Sequence, residues 1–369
     1  MSLKGELALP LTKDELERYS RQIALHDFGE EGQLKVKSAR VCVMGLGGLG
    51  SVSSLQLAAM GVGHLRILDR DIVDITNLQR QLIYDVNSLG YPKVEIAAKK
   101  LQNLNPEVQV EAIATSVNEA NAEEYVNGMD VVVDAFDRFS SRFAVNKACV
   151  KLKIPYVFGG AIESYGNATT IIPGKTPCLE CLFHNADDSI TPTCERVGVL
   201  PPIINVIASV QVNETLRLIL KEEPTLANKI LYCDLSAMSF DVFNIARRKD
   251  CTVCGESAAG KKPTTTELRM PKNKGDSVSE LCGRESFMVT PNQQSSIDIQ
   301  AAGKTLSKKF RVKLAASYGV TLDFNDRISV SLMRGGNMLI KGATTNEEAQ
   351  MVYDEIMRLI HSKAWKKEK

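Results

Sequence analysis

The six residues Gly45-Leu46-Gly47-Gly48-Leu49-Gly50 constrain this chain more than any other stretch. Their G-x-G-x-x-G spacing follows a β-branched run that begins at Ala39 and precedes a helical pattern from Ser51 to Met60. Leu65 to Asp69 supplies a second strand that ends in an acid. Glycines at such a turn let the backbone approach phosphates at a helix N-terminus, and the acid can bond ribose hydroxyls. Gly45, Gly47, Gly48, Gly50 and Asp69 therefore predict a nucleotide site in a βαβ unit. The motif alone does not choose the nucleotide, and its default is an NAD(P)-dependent oxidoreductase.

Further apolar runs at Gln109 to Ala114, Met129 to Ala135, Ile154 to Gly159 and Thr169 to Ile172 alternate with helical stretches at Lys93 to Leu104 and Ser141 to Leu152. This alternation predicts an α/β fold with a doubly wound, Rossmann-like, mostly parallel sheet. Thr12-Lys13-Asp14-Glu15 has capping-box form and predicts a first helix that carries Arg18 and Arg21 and runs towards Phe28. From Glu256 to Ser279 the composition turns to Gly, Lys, Pro, Thr and Ser, the signature of a linker. Beyond it, a strand at Ser286 to Thr290, a hairpin around Gly335-Gly336-Asn337 and a helix capped at Thr345 predict a compact α+β module. The expected organisation is an α/β domain over 1–255, a linker over 256–279 and a small domain over 280–369.

Charge divides along the same boundary. The chain has 369 residues with 45 Lys plus Arg and 44 Asp plus Glu. Residues 257 to 369 hold 19 and 12 of these, which leaves 26 and 32 for the rest. The overall balance removes any global electrostatic case for a nucleic-acid or membrane partner, while the basic tail suggests a functionally distinct piece. Nine cysteines are too few for a disulfide scaffold. The N-terminus shows no apolar run before a cleavage site, and polar residues interrupt the apolar stretch Val197 to Leu220. A cytoplasmic protein with no membrane span is expected.

Past Asp69 come Asp71, Asn77-Leu78-Gln79-Arg80-Gln81 and Lys93. Several cations near a phosphate turn suit a polyphosphate better than NAD, so Arg80 and Lys93 favour ATP. Asp137 follows a strand at its C-terminal end, where such folds bind ligands, and a carboxylate there suits Mg²⁺. Cys178/Cys181 and Cys251/Cys254 form two C-x-x-C pairs, which together suit a closed, structural Zn²⁺ site; a redox disulfide would need only one pair. Cys42, Cys149 and Cys233 lie in apolar patterns and are expected to be buried. Cys194 lies instead in a polar run beside Arg196 and ahead of the helix that Pro201-Pro202 opens, a setting that can activate a nucleophile.

This constellation resembles the ThiF/MoeB/HesA family, which includes the activating enzymes of ubiquitin-like proteins. The resemblance covers Leu11 to Gly255 and rests on Arg18-Tyr19-Ser20-Arg21-Gln22-Ile23, the glycine turn, Asp69, Asn77 to Gln81, Lys93, Asp137, both cysteine pairs and Cys194-Glu195-Arg196-Val197-Gly198-Val199. It implies ATP-dependent adenylation of the C-terminal glycine of a small β-grasp carrier ending in Gly-Gly. Asp69 would bind ribose, with Asp71, Asn77 and Gln81 beside the nucleotide, Arg80 and Lys93 the phosphates and Asp137 the Mg²⁺. Arg21 would reach the γ-phosphate in a neighbouring subunit, which implies a homodimer. Cys194 matches the position where family members form a thioester or acyl persulfide with the carrier. The sequence Phe136-Asp137-Arg138 departs from the Thr-Asp-Asn of many relatives. The tail lacks the cysteine loop of a rhodanese and is similar in placement to the ubiquitin-fold domain that recruits a conjugating enzyme. The leading expectation is thus an activating enzyme for a ubiquitin-like modifier; the alternative is a sulfur-carrier adenylyltransferase of a thiamine, molybdopterin or tRNA thiolation pathway.

Overall fold

The computed structural model describes residues 10–184, 186–188, 197–255, 276–281, 286–291 and 296–364. Its first part is built on an eight-stranded sheet with the order β3-β2-β1-β4-β5-β6-β7-β8. Strands β1 (Arg40–Met44), β2 (His64–Asp69), β3 (Gln109–Ala114), β4 (Val131–Asp134) and β5 (Tyr156–Ile162) run parallel. Strands β6 (Tyr165–Ile171), β7 (Lys229–Asp234) and β8 (Ser239–Asn244) continue the sheet antiparallel. The order reverses between β1 and β4, and at such a reversal the C-terminal strand ends leave a crevice.

Before the sheet lie α1 (Lys13–Arg18), α2 (Ser20–Ile23) and α3 (Gly29–Ser38). The predicted capping box at Thr12 and Glu15 is present, but the single first helix is not. Tyr19 ends α1 because its ring is buried and its phenol oxygen accepts from the Asn105 amide at 2.8 Å. Helices α4 (Gly48–Ala59), α5 (Lys93–Leu104), α6 (Ala122–Val126) and α7 (Phe139–Leu152) follow the parallel strands, and α8 (Leu179–Phe183) follows β6. Helix α4 begins at Gly48, three residues before the predicted start, so the glycine motif is itself the helix N-terminus.

Helix α9 (Pro201–Leu220) packs on α4, β5 and β6. By length and composition it could cross a membrane, which corrects the expectation that no segment could. Two of its interrupting polar residues, Gln211 and Glu214, nevertheless point into the protein. Gln211 donates to the carbonyls of Asp134 and Val157, while Glu214 accepts from the Thr170 hydroxyl and the Leu226 amide. These bonds remove the cost of burying polar groups and place the helix in the protein core.

The C-terminal part is a six-stranded antiparallel sheet with the order β11-β12-β13-β14-β10-β9. Its strands are β9 (Ser277–Leu281), β10 (Ser286–Thr290), β11 (Arg311–Ala315), β12 (Gly319–Asp323), β13 (Ser329–Met333) and β14 (Met338–Lys341). The predicted hairpin is β13–β14, and β9 begins inside the stretch assigned to the linker. Helices α10 (Ile299–Leu306) and α11 (Asn346–Ala364) cover one face, against Phe287, Val289, Leu332 and Ile340. Residues of the other face, Met288, Met333 and Leu339, meet Ile72 of the first part. Strands β10 and β14, covered on both faces, read as apolar runs, whereas β11, β12 and β13 alternate apolar and polar residues.

Gly50 shows how closely the glycine turn is packed. A Cβ there would stand 1.9 Å from the Gly45 carbonyl oxygen. Gly50→Ala is therefore expected to cost about 3 kcal/mol, because the backbone must move to admit the methyl group. An unchanged urea midpoint would show that the turn yields easily.

Candidate functional site

Backbone geometry comes first. Gly45 adopts φ +100°, and a Cβ at this position would lie 2.7 Å from the Ala135 carbonyl oxygen, so only glycine fits between β1 and β4. The chain then enters α4 through Gly47 and Gly48. The first amides of that helix have no partners within it and face outward from the turn's end, an anion-binding arrangement.

Asp69 closes the turn from the neighbouring strand. Its Oδ2 accepts from the Leu46 amide at 2.7 Å, and its Oδ1 accepts from the Asp71 amide at 2.7 Å. Asp71 in turn accepts from Lys93 twice: from the backbone amide at 2.9 Å and from Nζ at 3.1 Å. Burial pushes the Asp69 carboxyl above its ordinary range, against the pull of Lys93. Burial acts the same way on Asp71, but Lys93 and Arg70 outweigh it and hold that carboxyl low. The buried Lys93 is disfavoured by desolvation, yet Asp71 and Asp69 raise it above its ordinary value and keep it charged.

Between Asp71 and Lys93 the chain forms a short turn, Ile75–Asn77, capped by Asp74. Arg80 follows, its guanidinium donating to the Thr76 carbonyl at 2.7 Å. Across the crevice, β4 ends at Asp134, which is buried and ion-paired with Arg142 at 3.1 Å. The Arg142 guanidinium also lies over the Phe158 ring at 5.0 Å and donates to the Gly159 carbonyl at 3.0 Å. This buried pair holds the strand end from which the exposed Asp137 projects.

These elements enclose a cavity of about 690 Å³, within the ~300–1,000 Å³ usual for small-molecule sites. Gly45, Gly47, Gly48, Asp69, Asp71, Asn77, Arg80, Gln81, Lys93 and Asp137 all line it. Gly50 does not: it serves the packing of the turn. Arg21 does not either, because it lies exposed on α2, away from the strand ends. Cys194 lies outside the described residues. Phe158, Tyr165 and Tyr232 add an aromatic wall that sequence spacing does not reveal, and Ser286, Leu339 and Lys341 of the C-terminal sheet complete the lining. That last contribution runs against the expectation that the tail stands apart as a docking domain.

The other predicted centre also assembles. The sulfur atoms of Cys178, Cys181, Cys251 and Cys254 lie within 4.8 Å of one another, all buried. Cys178 and Cys251 are 3.7 Å apart, and Cys181 and Cys254 are 3.4 Å apart. Four thiolates around a tetrahedral zinc at ~2.3 Å stand roughly 3.8 Å from each other, so the cluster fits that ion. Burial pushes the Cys178 thiol well up and that of Cys181 to about 11, so a bound cation would be needed to hold both as thiolates. Such a site would tie the segment after β8 to α8. Cys42, Cys149 and Cys233 are buried elsewhere, as expected.

Comparison with known proteins agrees with this geometry. The ThiF family model matches residues 19–253. The chain is 40% identical to the SAMP-activating enzyme E1 of Haloferax volcanii over 251 residues, covering 68% of this chain and 93% of that protein. It is 31% identical to the sulfur carrier protein ThiS adenylyltransferase of Bacillus subtilis over 347 residues, covering 91% of this chain and 98% of that one. Among solved structures, E. coli MccB with ATP superposes with a TM-score of 0.58 at 30% identity, covering 64% of this chain and 74% of MccB.

The cysteine geometry makes a direct prediction. Purified protein should carry about one zinc per chain, and Cys251→Ser should lower the thermal midpoint by roughly 5–10 °C. Metal analysis of the preparation and the melting curve check this; a metal-free protein of unaltered stability would rule zinc out.

Proposed function

The chain belongs to the ThiF family, and from that premise we propose that it uses ATP to adenylate the C-terminal carboxylate of a small β-grasp carrier protein. One observation carries the reading: Arg80 and Lys93 line the same cavity as the glycine turn and Asp137, so phosphate-binding cations and a metal-binding carboxylate share one crevice. Asp69 would bond the ribose, with Asp71, Asn77 and Gln81 beside the nucleotide. The phosphates would displace Asp71 as the partner of Lys93. Asp137, exposed at the cavity wall, suits a magnesium ion that shares its remaining positions with phosphates and water. When bound, that ion supplies positive charge to the polyphosphate.

The reaction then follows from charge. The carrier carboxylate is already ionised, so its attack on the α-phosphorus needs no general base. Arg80 and Lys93 offset the charge that develops on the departing pyrophosphate, and they do so inside a walled cavity where the interaction is strong. Arg21, exposed on α2, would act on the nucleotide of a second copy in a homodimer. If the product is a protein conjugate, the Cys194 thiolate would attack the carrier's acyl adenylate, breaking the acyl–phosphate bond, releasing AMP and leaving the carrier as a thioester.

Two products remain distinct. The SAMP-activating relative supports a ubiquitin-like modifier as carrier. The length of the Bacillus match supports a sulfur carrier, since its 91% coverage of this chain must extend into the C-terminal part, whereas the Haloferax match covers 68%. Both carriers thus find support among the relatives, and the fate of the adenylate distinguishes the two readings.

Carrier-dependent ATP:pyrophosphate exchange tests the proposal. Asp137→Ala should reduce the exchange rate at least ~100-fold, while Cys194→Ala should leave it intact. Intact-mass analysis of the carrier and enzyme would separate an adenylate alone from a thioester on Cys194. Exchange at full rate with no carrier present would defeat the reading.

A further inference from the structure

We propose that the C-terminal sheet is a working wall of the adenylation site, with Lys341 as a positioning residue for the nucleotide phosphates. This inference rests on the adenylation reading above. Lys341 ends β14 with its Nζ 2.8 Å from Asp74 Oδ2, across a sequence separation of 267 residues. The ion pair is partly shielded, with side-chain exposures of 36% and 23%. Lys341 also lines the cavity that holds Arg80 and Lys93.

Asp74 links this contact to the phosphate-binding segment. Its Oδ1 accepts from the Thr76 amide at 3.0 Å and the Thr76 hydroxyl at 2.9 Å, and its own amide donates to Asn77 Oδ1 at 3.0 Å. Arg80 donates to the carbonyl of the same Thr76. A chain of bonds thus runs from Lys341 through Asp74 and Thr76 to Arg80. Two neighbouring contacts brace the far end of the segment: the Tyr318 amide donates to Glu95 at 3.0 Å, and the Thr321 hydroxyl donates to the Gly90 carbonyl at 3.4 Å. Ile72, packed on Met288, Met333 and Leu339, fixes the near end.

Charge gives Lys341 a role beyond bracing. Asp74 places a carboxylate on the wall of a cavity meant for a polyphosphate, and Lys341 neutralises it. Without the lysine, the acid would repel the phosphates and the turn would lose its anchor. Asparagine at position 74 would keep the acceptor oxygen that caps Thr76 while removing the repulsion.

The test uses the full chain and measures KM for ATP in pyrophosphate exchange, together with the thermal midpoint of each variant. K341M and K341Q should raise KM for ATP about tenfold with a smaller change in kcat, and K341R should stay within about twofold of wild type. D74N should restore most of the affinity lost in K341M. A purely structural lysine would not be rescued in this way. Absence of exchange in the wild type would defeat the adenylation reading itself. Wild-type exchange combined with an unaltered KM in both substitutions, or with no rescue by D74N, would overturn this inference alone. If neither K341M nor K341Q folds, Lys341 belongs to the fold and the positioning role is overturned.

Discussion

One half-buried carboxylate organises the site. Asp69 bonds the amide of Leu46 in the glycine turn and that of Asp71 in its own strand extension, so a single side chain fixes two loops at the ends of adjacent parallel strands. Burying it carries a desolvation cost that pushes its pKa upward, and the two amides and the Lys93 charge offset that cost. Asp71 and Lys93 depend on the same arrangement, because the Lys93 amide and ammonium both return to Asp71. Moving Asp69 would therefore disturb the glycine turn and the principal buried cation together. The geometric demand on Gly45 and Gly50 follows, since the turn held by Asp69 has no room for a Cβ at either position.

What the sequence makes legible is what local chemistry dictates. The parallel strands and their helices show as apolar runs separated by helical spacing, and α5 occupies the residues that the pattern predicts. Paired cysteines announce their cluster because a tetrahedral ion needs them, although only folding brings pairs 73 residues apart to contact. Strands β7 and β8 are less legible. Phe240, Val242 and Phe243 of β8 are exposed, so its apolar residues do not mark a buried face. The break at Tyr19 comes from a partner in a distant loop, and the irregularity in β11 between Val312 and Leu314 shifts its register against β12, which alternation does not reveal. The glycine motif assigns Gly50 to the nucleotide, whereas its close approach to the Gly45 carbonyl gives it to packing.

The basic tail illustrates a different limit. Net charge suggests a surface for an acidic partner, yet several of its cations are engaged within the tail: Lys309 with Glu355, Lys313 with Asp323, and Arg327 with Glu348. Such exposed pairs contribute little to stability, but they show that a count of charges is not a map of a surface. Lys341 is engaged elsewhere, on Asp74 of the first part. No periodicity could reveal that contact, since it depends on how the two sheets meet.

The placement of the tail has a physical rationale in the segment it covers. Between β2 and α5 the chain makes only short turns, Ile75–Asn77 and Val86–Ser88, and its backbone bonds, such as Val73 to Tyr91 and Gly90 to Val73, close within the segment itself. Asx-type caps at Asp74 and Asp85 fix each turn locally, but local caps do not set the position of one turn relative to the sheet. On one side the segment is held by Lys93 and Asp71. On the other it meets Ile72, Met288, Met333 and Leu339, an apolar contact that excludes water without specifying orientation. Directional bonds from Tyr318, Thr321 and Lys341 supply what that contact lacks. A cavity lined by Arg80 on an irregular segment is thereby given two walls, and the second is built from residues more than 200 positions further along the chain.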